Sequence, residues 1–197
     1  MLKYTVALKQ PAKELLKIKS EGNIMKIVAF GASTSSTSIN KALASYAAHL
    51  IEGADVIVLD LNSYKVPLFS EDKEKEIGQA DDAKTFLADI AQADALVISF
   101  AEHNGSYSAA YKNLFDWATR IERNVFANKP AVYLSTSPGP GGAQSVLAAA
   151  RGSAQFFGAD VQSSISVPNF YENFDLEAGA FKNQDIAEQI NQAVSKL

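Results

Sequence analysis

KIVAFGASTSSTSINKALA, residues 26–44, changes period halfway along. Val28 to Phe30 belong to an apolar, β-branched run, which breaks at Gly31-Ala32 into hydroxyls (Ser33 to Ser38) and Asn40. A pattern with helical spacing follows at once. A buried strand, a donor-rich turn and a helix in succession form the opening unit of an α/β sheet. Ser38 stands where a hydroxyl caps the first free backbone N–H groups of that helix, and Gly53 stands where a left-handed turn would close it.

The same alternation continues to the end of the chain. Strands are expected at 26–32, 55–61, 95–103, 130–137 and 160–168, and helices at 39–52, 80–93, 109–122, 142–157 and 183–196. The first, third and fourth strands are apolar on both faces, as strands covered by helices on each side must be. Five strands alternating with helices imply one doubly wound parallel sheet with right-handed crossovers. Ligands of such sheets bind beyond the carboxyl ends of the strands, where the strand order reverses. For the order 2-1-3-4-5 that point lies between the first and third strands. The loops GASTSSTSIN (31–40) and AEHNGSYS (101–108) meet there, with STSPGPGG (135–142) alongside.

Composition narrows the chemistry. The 197 residues contain no cysteine and only two histidines, His49 and His103, so disulfides, thiolate metal sites and a Cys nucleophile are excluded. No metal site is expected. The net charge of −4, without a basic cluster in the body of the chain, argues against a nucleic-acid partner, and no apolar run approaches a membrane span. Residues 1–24 differ from the rest, with five lysines against Glu14 and Glu21. They read either as a translated leader ahead of Met25 or as a short amphipathic helix docked on the surface, leaving 25–197 as the ligand-binding domain.

The first loop fits neither the dinucleotide fingerprint nor the P-loop pattern. It does offer hydroxyls, the Asn40 amide and the positive end of a helix, which together suit a phosphate monoester. Asn104-Gly105 is a turn signal. Glu102 and His103, as neighbours at a strand end, point in opposite directions, which disfavours an acid/base pair. The backbone of this turn is better suited to gripping the edge of a planar heterocycle. In the third loop, Ser137, Gly139, Gly141 and Gly142 permit close approach of a ligand to the main chain.

Taken together, KIVAFGASTSSTSINKALA, VIVLDLNSYKVPLFSEDKE, ADALVISFAEHNGSYSAAYKNLFDWATR and KPAVYLSTSPGPGGAQSVLAAAR resemble the NADPH-dependent FMN reductases, flavodoxin-like enzymes that include flavin, quinone and azo-dye reductases. The resemblance implies a flavodoxin-like α/β fold and bound FMN. It also implies NADPH or NADH as co-substrate, a small acceptor such as a flavin or quinone, a homodimer or homotetramer, and a cytoplasmic location. Carried over by position, Ser33, Ser35, Ser38, Ile39 and Asn40 surround the FMN phosphate. Glu102, His103, Asn104, Gly105 and Ser106 lie along the isoalloxazine, with Ser137 and Gly139 near its other edge. Ser35 stands where many members carry arginine, and Ala101-Glu102-His103-Asn104 replaces the usual P-E-Y-N. KVPLFSED (65–72) matches a loop that borders the flavin face or the subunit contact in relatives. There Phe69 stacks on nicotinamide or packs, and Trp117 packs or lies at a subunit interface. No side chain is expected to act as nucleophile or general base, because the flavin carries the chemistry. The rival readings are an FMN electron carrier without NAD(P)H turnover and a cofactor-less interaction module.

Overall fold

The computed structural model describes residues 24–197. The expected extension, residues 1–24, lies outside these but for Ile24. Five parallel strands form the sheet: β1 (Lys26–Gly31), β2 (Asp55–Leu59), β3 (Ala95–Phe100), β4 (Lys129–Thr136) and β5 (Ala159–Val167). Their order is 2-1-3-4-5, the order expected of the flavodoxin-like fold. Pairings such as Val28 with Ile57 and Val97 with Val132 keep every strand parallel.

The helices are α1 (Ile39–His49), α2 (Glu71–Ile77), α3 (Asp81–Ala91), α4 (Ala109–Ile121), α5 (Gln144–Ser153), α6 (Phe170–Asn173) and α7 (Gln184–Val194). Successive strand residues feed opposite cores, as the pleat requires. Val28, Phe30, Leu96, Ile98 and Tyr133 join α3, α4 and α5 in one cluster. Ile27, Ala29, Val97, Val132 and Leu134 join α1 and α7 in the other. Both faces are covered, which explains the continuous apolar runs.

The structure departs from the expected elements in several places, the unforeseen short helix α6 among them. The third strand ends at Phe100, and Glu102–His103 pairs antiparallel with Ser106–Tyr107 instead of extending the sheet. Helix α2 is an added element. It has no buried residue, so no apolar period announces it; Ser70 caps it by accepting from the Lys73 N–H. Helix α5 is shorter than expected and runs into a 3₁₀ turn over Ala154–Phe157.

Gly31 fixes how closely α1 approaches β1. A Cβ on Gly31 would lie 2.3 Å from the Lys41 backbone nitrogen, so any other residue there would push the start of α1 away from the strand.

Candidate functional site

A cavity of about 330 Å³ opens at the carboxyl edge of the sheet. Ser33, Ser35, Ser38, Ile39 and Asn40 line it from the first loop, joined by Thr37. Ala101, Glu102 and His103 line it from the segment after β3, and Thr136, Ser137 and Pro138 from the end of β4. Tyr171 of α6 completes the wall. The loops picked out from the sequence therefore meet around one space.

The first loop folds on itself through short local bonds. The Ser33 N–H donates to the Gly31 carbonyl (2.7 Å) and the Ser38 N–H to the Ser35 carbonyl (3.2 Å). The Ser35 N–H donates to Ser33 Oγ, and the Lys41 N–H to Ser38 Oγ at 3.1 Å, which is the expected helix cap. The N–H groups of Ile39 and Asn40, in the first turn of α1, have no acceptor among the described residues. They remain available to an anion. Among the described residues no Lys or Arg lines the cavity. Lys41, the nearest cation along α1, pairs with Asp60 at 2.6 Å. That hydrogen bond, with the Asn62 N–H, holds the Asp60 carboxyl down at about 2. The donor set of serine and threonine hydroxyls with helix N–H groups fits a phosphate monoester.

Asn40 has a role that the sequence does not disclose. Its side chain is buried: Nδ2 donates to the Thr136 carbonyl (3.3 Å), while Oδ1 accepts from Ser99 Oγ (2.7 Å) and from the Thr136 N–H (3.2 Å). The amide ties α1 to β3 and β4, and the backbone N–H is what Asn40 has left to offer a ligand. Other hydroxyls, buried at Ser108 and Ser135 and half-buried at Ser166, brace the same edge. Ser108 Oγ donates to the Ala32 carbonyl, and Ser135 and Ser166 both donate to the Gly142 carbonyl.

The segment after β3 is a tight hairpin. Asn104 (φ 53°) and Gly105 (φ 78°) form its turn, a pair of left-handed residues suited to a two-residue hairpin. His103, Asn104, Gly105 and Ser106 are all exposed. Asn104, Gly105 and Ser106 form the tip of the hairpin and lie beyond the cavity lining. Glu102 carries a second unforeseen contact. Helix α5 begins at Ala143 in a left-handed conformation with no side-chain cap of its own, and Glu102 Oε2 accepts from the Val146 N–H at 2.9 Å. The carboxylate thus caps α5 from outside and pins the hairpin to it. Beneath the hairpin, burial pushes the phenols of Tyr111 and Tyr133 up and keeps them neutral.

Gly139 also stands beside the cavity lining rather than in it, its carbonyl accepting from Ser137 Oγ and from the Asn169 N–H. On the other flank, Asn113 and Trp117 grip the 65–69 loop. Asn113 Oδ1 accepts from the Phe69 N–H, and Trp117 Nε1 donates to the Pro67 carbonyl at 2.7 Å. Phe69, half-buried, packs edge-on against the fully buried Trp117 ring at 5.2 Å.

Comparison with known proteins agrees with this arrangement. The profile of the NADPH-dependent FMN reductases matches residues 25–172. An NADPH:quinone oxidoreductase of Arabidopsis thaliana is 32% identical over 126 residues, covering 62% of this chain and 63% of that protein. An NAD(P)H-dependent FMN reductase of Pseudomonas aeruginosa is 32% identical over 116 residues, covering 58% of this chain and 61% of that one. The match thus spans less than two thirds of either curated relative. The solved structure of FerB, a flavoenzyme NAD(P)H:(acceptor) oxidoreductase from Paracoccus denitrificans, superposes with a TM-score of 0.67 at 25% identity, over 87% of this chain and 94% of that one. With its sheet order, its carboxyl-edge cavity and a profile match over most of its length, this chain belongs to the NADPH-dependent FMN reductase family.

Proposed function

We propose that this chain is an NAD(P)H-dependent flavin oxidoreductase that binds FMN at the carboxyl edge of the sheet and reduces a small acceptor such as a flavin or quinone. One observation carries the reading: a neutral, hydroxyl-rich cradle at the start of α1 opens into the same cavity as the hairpin after β3 and the loop after β4. FMN held there would supply the redox chemistry between NAD(P)H and the acceptor, which no side chain of the chain can provide.

The chain's own residues bind and orient. Ser33, Ser35, Ser38 and the N–H groups of Ile39 and Asn40 would hold the phosphate. The backbone of residues 102–106 would present N–H and C=O groups to the ring edge, with Ser137 and Gly139 on the opposite side. Nothing in this scheme asks a side chain to move a proton: the Glu102 carboxylate is committed to α5, and His103, exposed at the cavity, would serve through its backbone. A homodimer or homotetramer belongs to the same reading. So does a cytoplasmic location, where NAD(P)H is available. Among the described residues no helix is long and apolar enough to cross a membrane.

An absorption spectrum of the purified protein, taken anaerobically before and after NADH or NADPH, tests the proposal. Yellow protein bleached by the nucleotide is the expected result. Yellow protein that does not bleach would make the chain an electron carrier, and colourless protein that ignores added FMN would make it a cofactor-less module.

A further inference from the structure

The turn after β5 is built into the rim of the cavity. The Asn169 N–H donates to the Gly139 carbonyl (2.9 Å) and the Phe170 N–H to the Ser137 carbonyl (3.1 Å), so α6 is stitched to the loop that forms one cavity wall. Phe170 is fully buried and stacks on Phe174 with ring centroids 4.8 Å apart, anchoring the turn from below. Asn173 Nδ2 donates to the carbonyls of Pro168 and Asn169 and closes the turn on itself. On this fixed support the next residue, Tyr171, is 53% exposed, and it lines the cavity together with Ser33, Ser35 and Ser38. Among the described residues its one aromatic contact is an edge with Phe170, so core packing does not account for the ring's place there. No Lys or Arg among the described residues lines the cradle, so every additional neutral donor there counts toward holding an anion.

We propose that Tyr171 is a ligand-binding residue of this site: its phenol closes the cradle over the anionic end of the ligand and donates its hydroxyl to the phosphate. The inference rests on the flavin reading above and adds a donor from beyond the strand–turn–helix unit. The ring covers the cradle from the β4–β5 side, while the first loop and the α1 N-terminus hold the phosphate from the other.

The test is the ratio of FMN to riboflavin affinity, measured by quenching of flavin fluorescence in wild type, Tyr171→Phe and Tyr171→Ala. Riboflavin has the same ring and ribityl chain without the phosphate. Loss of one hydrogen bond to a charged group lowers affinity about tenfold. Tyr171→Phe should therefore lower the FMN to riboflavin ratio about tenfold, and Tyr171→Ala at least as much. A fall of less than fivefold in the Phe variant, including an equal loss on both flavins, overturns the assignment while leaving FMN binding by the wild type intact. Wild type that binds no FMN overturns both this inference and the flavin reading.

Discussion

Replacing Asn40 with alanine should cost fold stability before it costs ligand affinity. The amide meets three buried partners, Ser99 Oγ, the Thr136 N–H and the Thr136 carbonyl. Ser99 is fully buried and Thr136 nearly so. A buried polar group stripped of its partner costs about 1–3 kcal/mol, and a water entering the space left by the amide would recover part of that. A net loss of about 3 kcal/mol is expected. For a domain of this size each kcal/mol shifts the melting temperature by about 2–4 °C, so Asn40→Ala should melt about 6–12 °C lower. For stability, Ser38→Ala costs a helix cap, about 1 kcal/mol, and should melt about 2–4 °C lower. Thermal melts of both variants, followed by FMN titration well below the melting range, separate the two roles. Below that range Asn40→Ala should retain most of its FMN affinity, because its backbone N–H is unchanged. An Asn40→Ala variant that melts within about 3 °C of wild type yet no longer binds FMN would refute this account and return the amide to the ligand.

Three further outcomes are expected. Glu102→Ala should lower the melting temperature by about 2–4 °C through loss of the α5 cap, and Glu102→Gln should restore most of it, since an amide oxygen still accepts from the Val146 N–H; equal losses in both would show that charge, not the acceptor, matters. Gly105→Val should be destabilised by about 1–2 kcal/mol and bind FMN more weakly, because Gly105 sits at φ 78° and the space around a Cβ is open, so strain alone is at work. Gly105→Asn should be tolerated, and a Val variant with wild-type melting and affinity would contradict the strained turn. For Asp60, the folded carboxyl titrates at about 2, below the ordinary carboxylate value, so its ion pair with Lys41 stabilises above about pH 4 and is lost as pH falls toward 2. Both side chains are more than a third exposed, which limits the effect to under about 1 kcal/mol. The melting difference between wild type and Asp60→Asn should therefore vanish near pH 2, and a difference that persists there would trace to shape rather than ionisation.

The succession of strands and helices is legible in the sequence because its cause is local and repeated. Each central strand is buried on both faces, and each is followed by a segment with helical spacing, so period alone separates the elements. Asn104-Gly105 is legible for a similar reason: a two-residue hairpin needs two left-handed positions, and this pair supplies them. Elements without an apolar period escape such a reading. Helix α2 buries nothing, and the turn 169–173 is defined by carbonyls of residues 137 and 139, some thirty positions earlier. The roles of individual polar residues at the site escape it as well, since residue type states what a side chain can bond but not where it points. Asn40 looks like a phosphate donor and braces three elements; Glu102 looks like a flavin neighbour and caps a helix 44 residues away.

Burial sorts these polar groups into two sets with different work. Asn40, Ser99, Ser108, Ser135 and Thr136 are buried and bonded inward, and they hold the carboxyl ends of β1, β3 and β4 and the start of α1 at fixed spacing. Ser33, Ser35, Thr37, Ser38 and Tyr171 line the cavity above them and keep part of their surface open to it. A neutral cradle has no strong charge to draw a phosphate in, so its affinity depends on donors already standing at the right distances. The buried set provides that preorganisation, and for this reason damage to it should appear first as lost stability. Damage to the open set should appear as a lower preference for FMN over riboflavin at unchanged stability, with Ser38 the exception because its hydroxyl serves both the helix and the cavity.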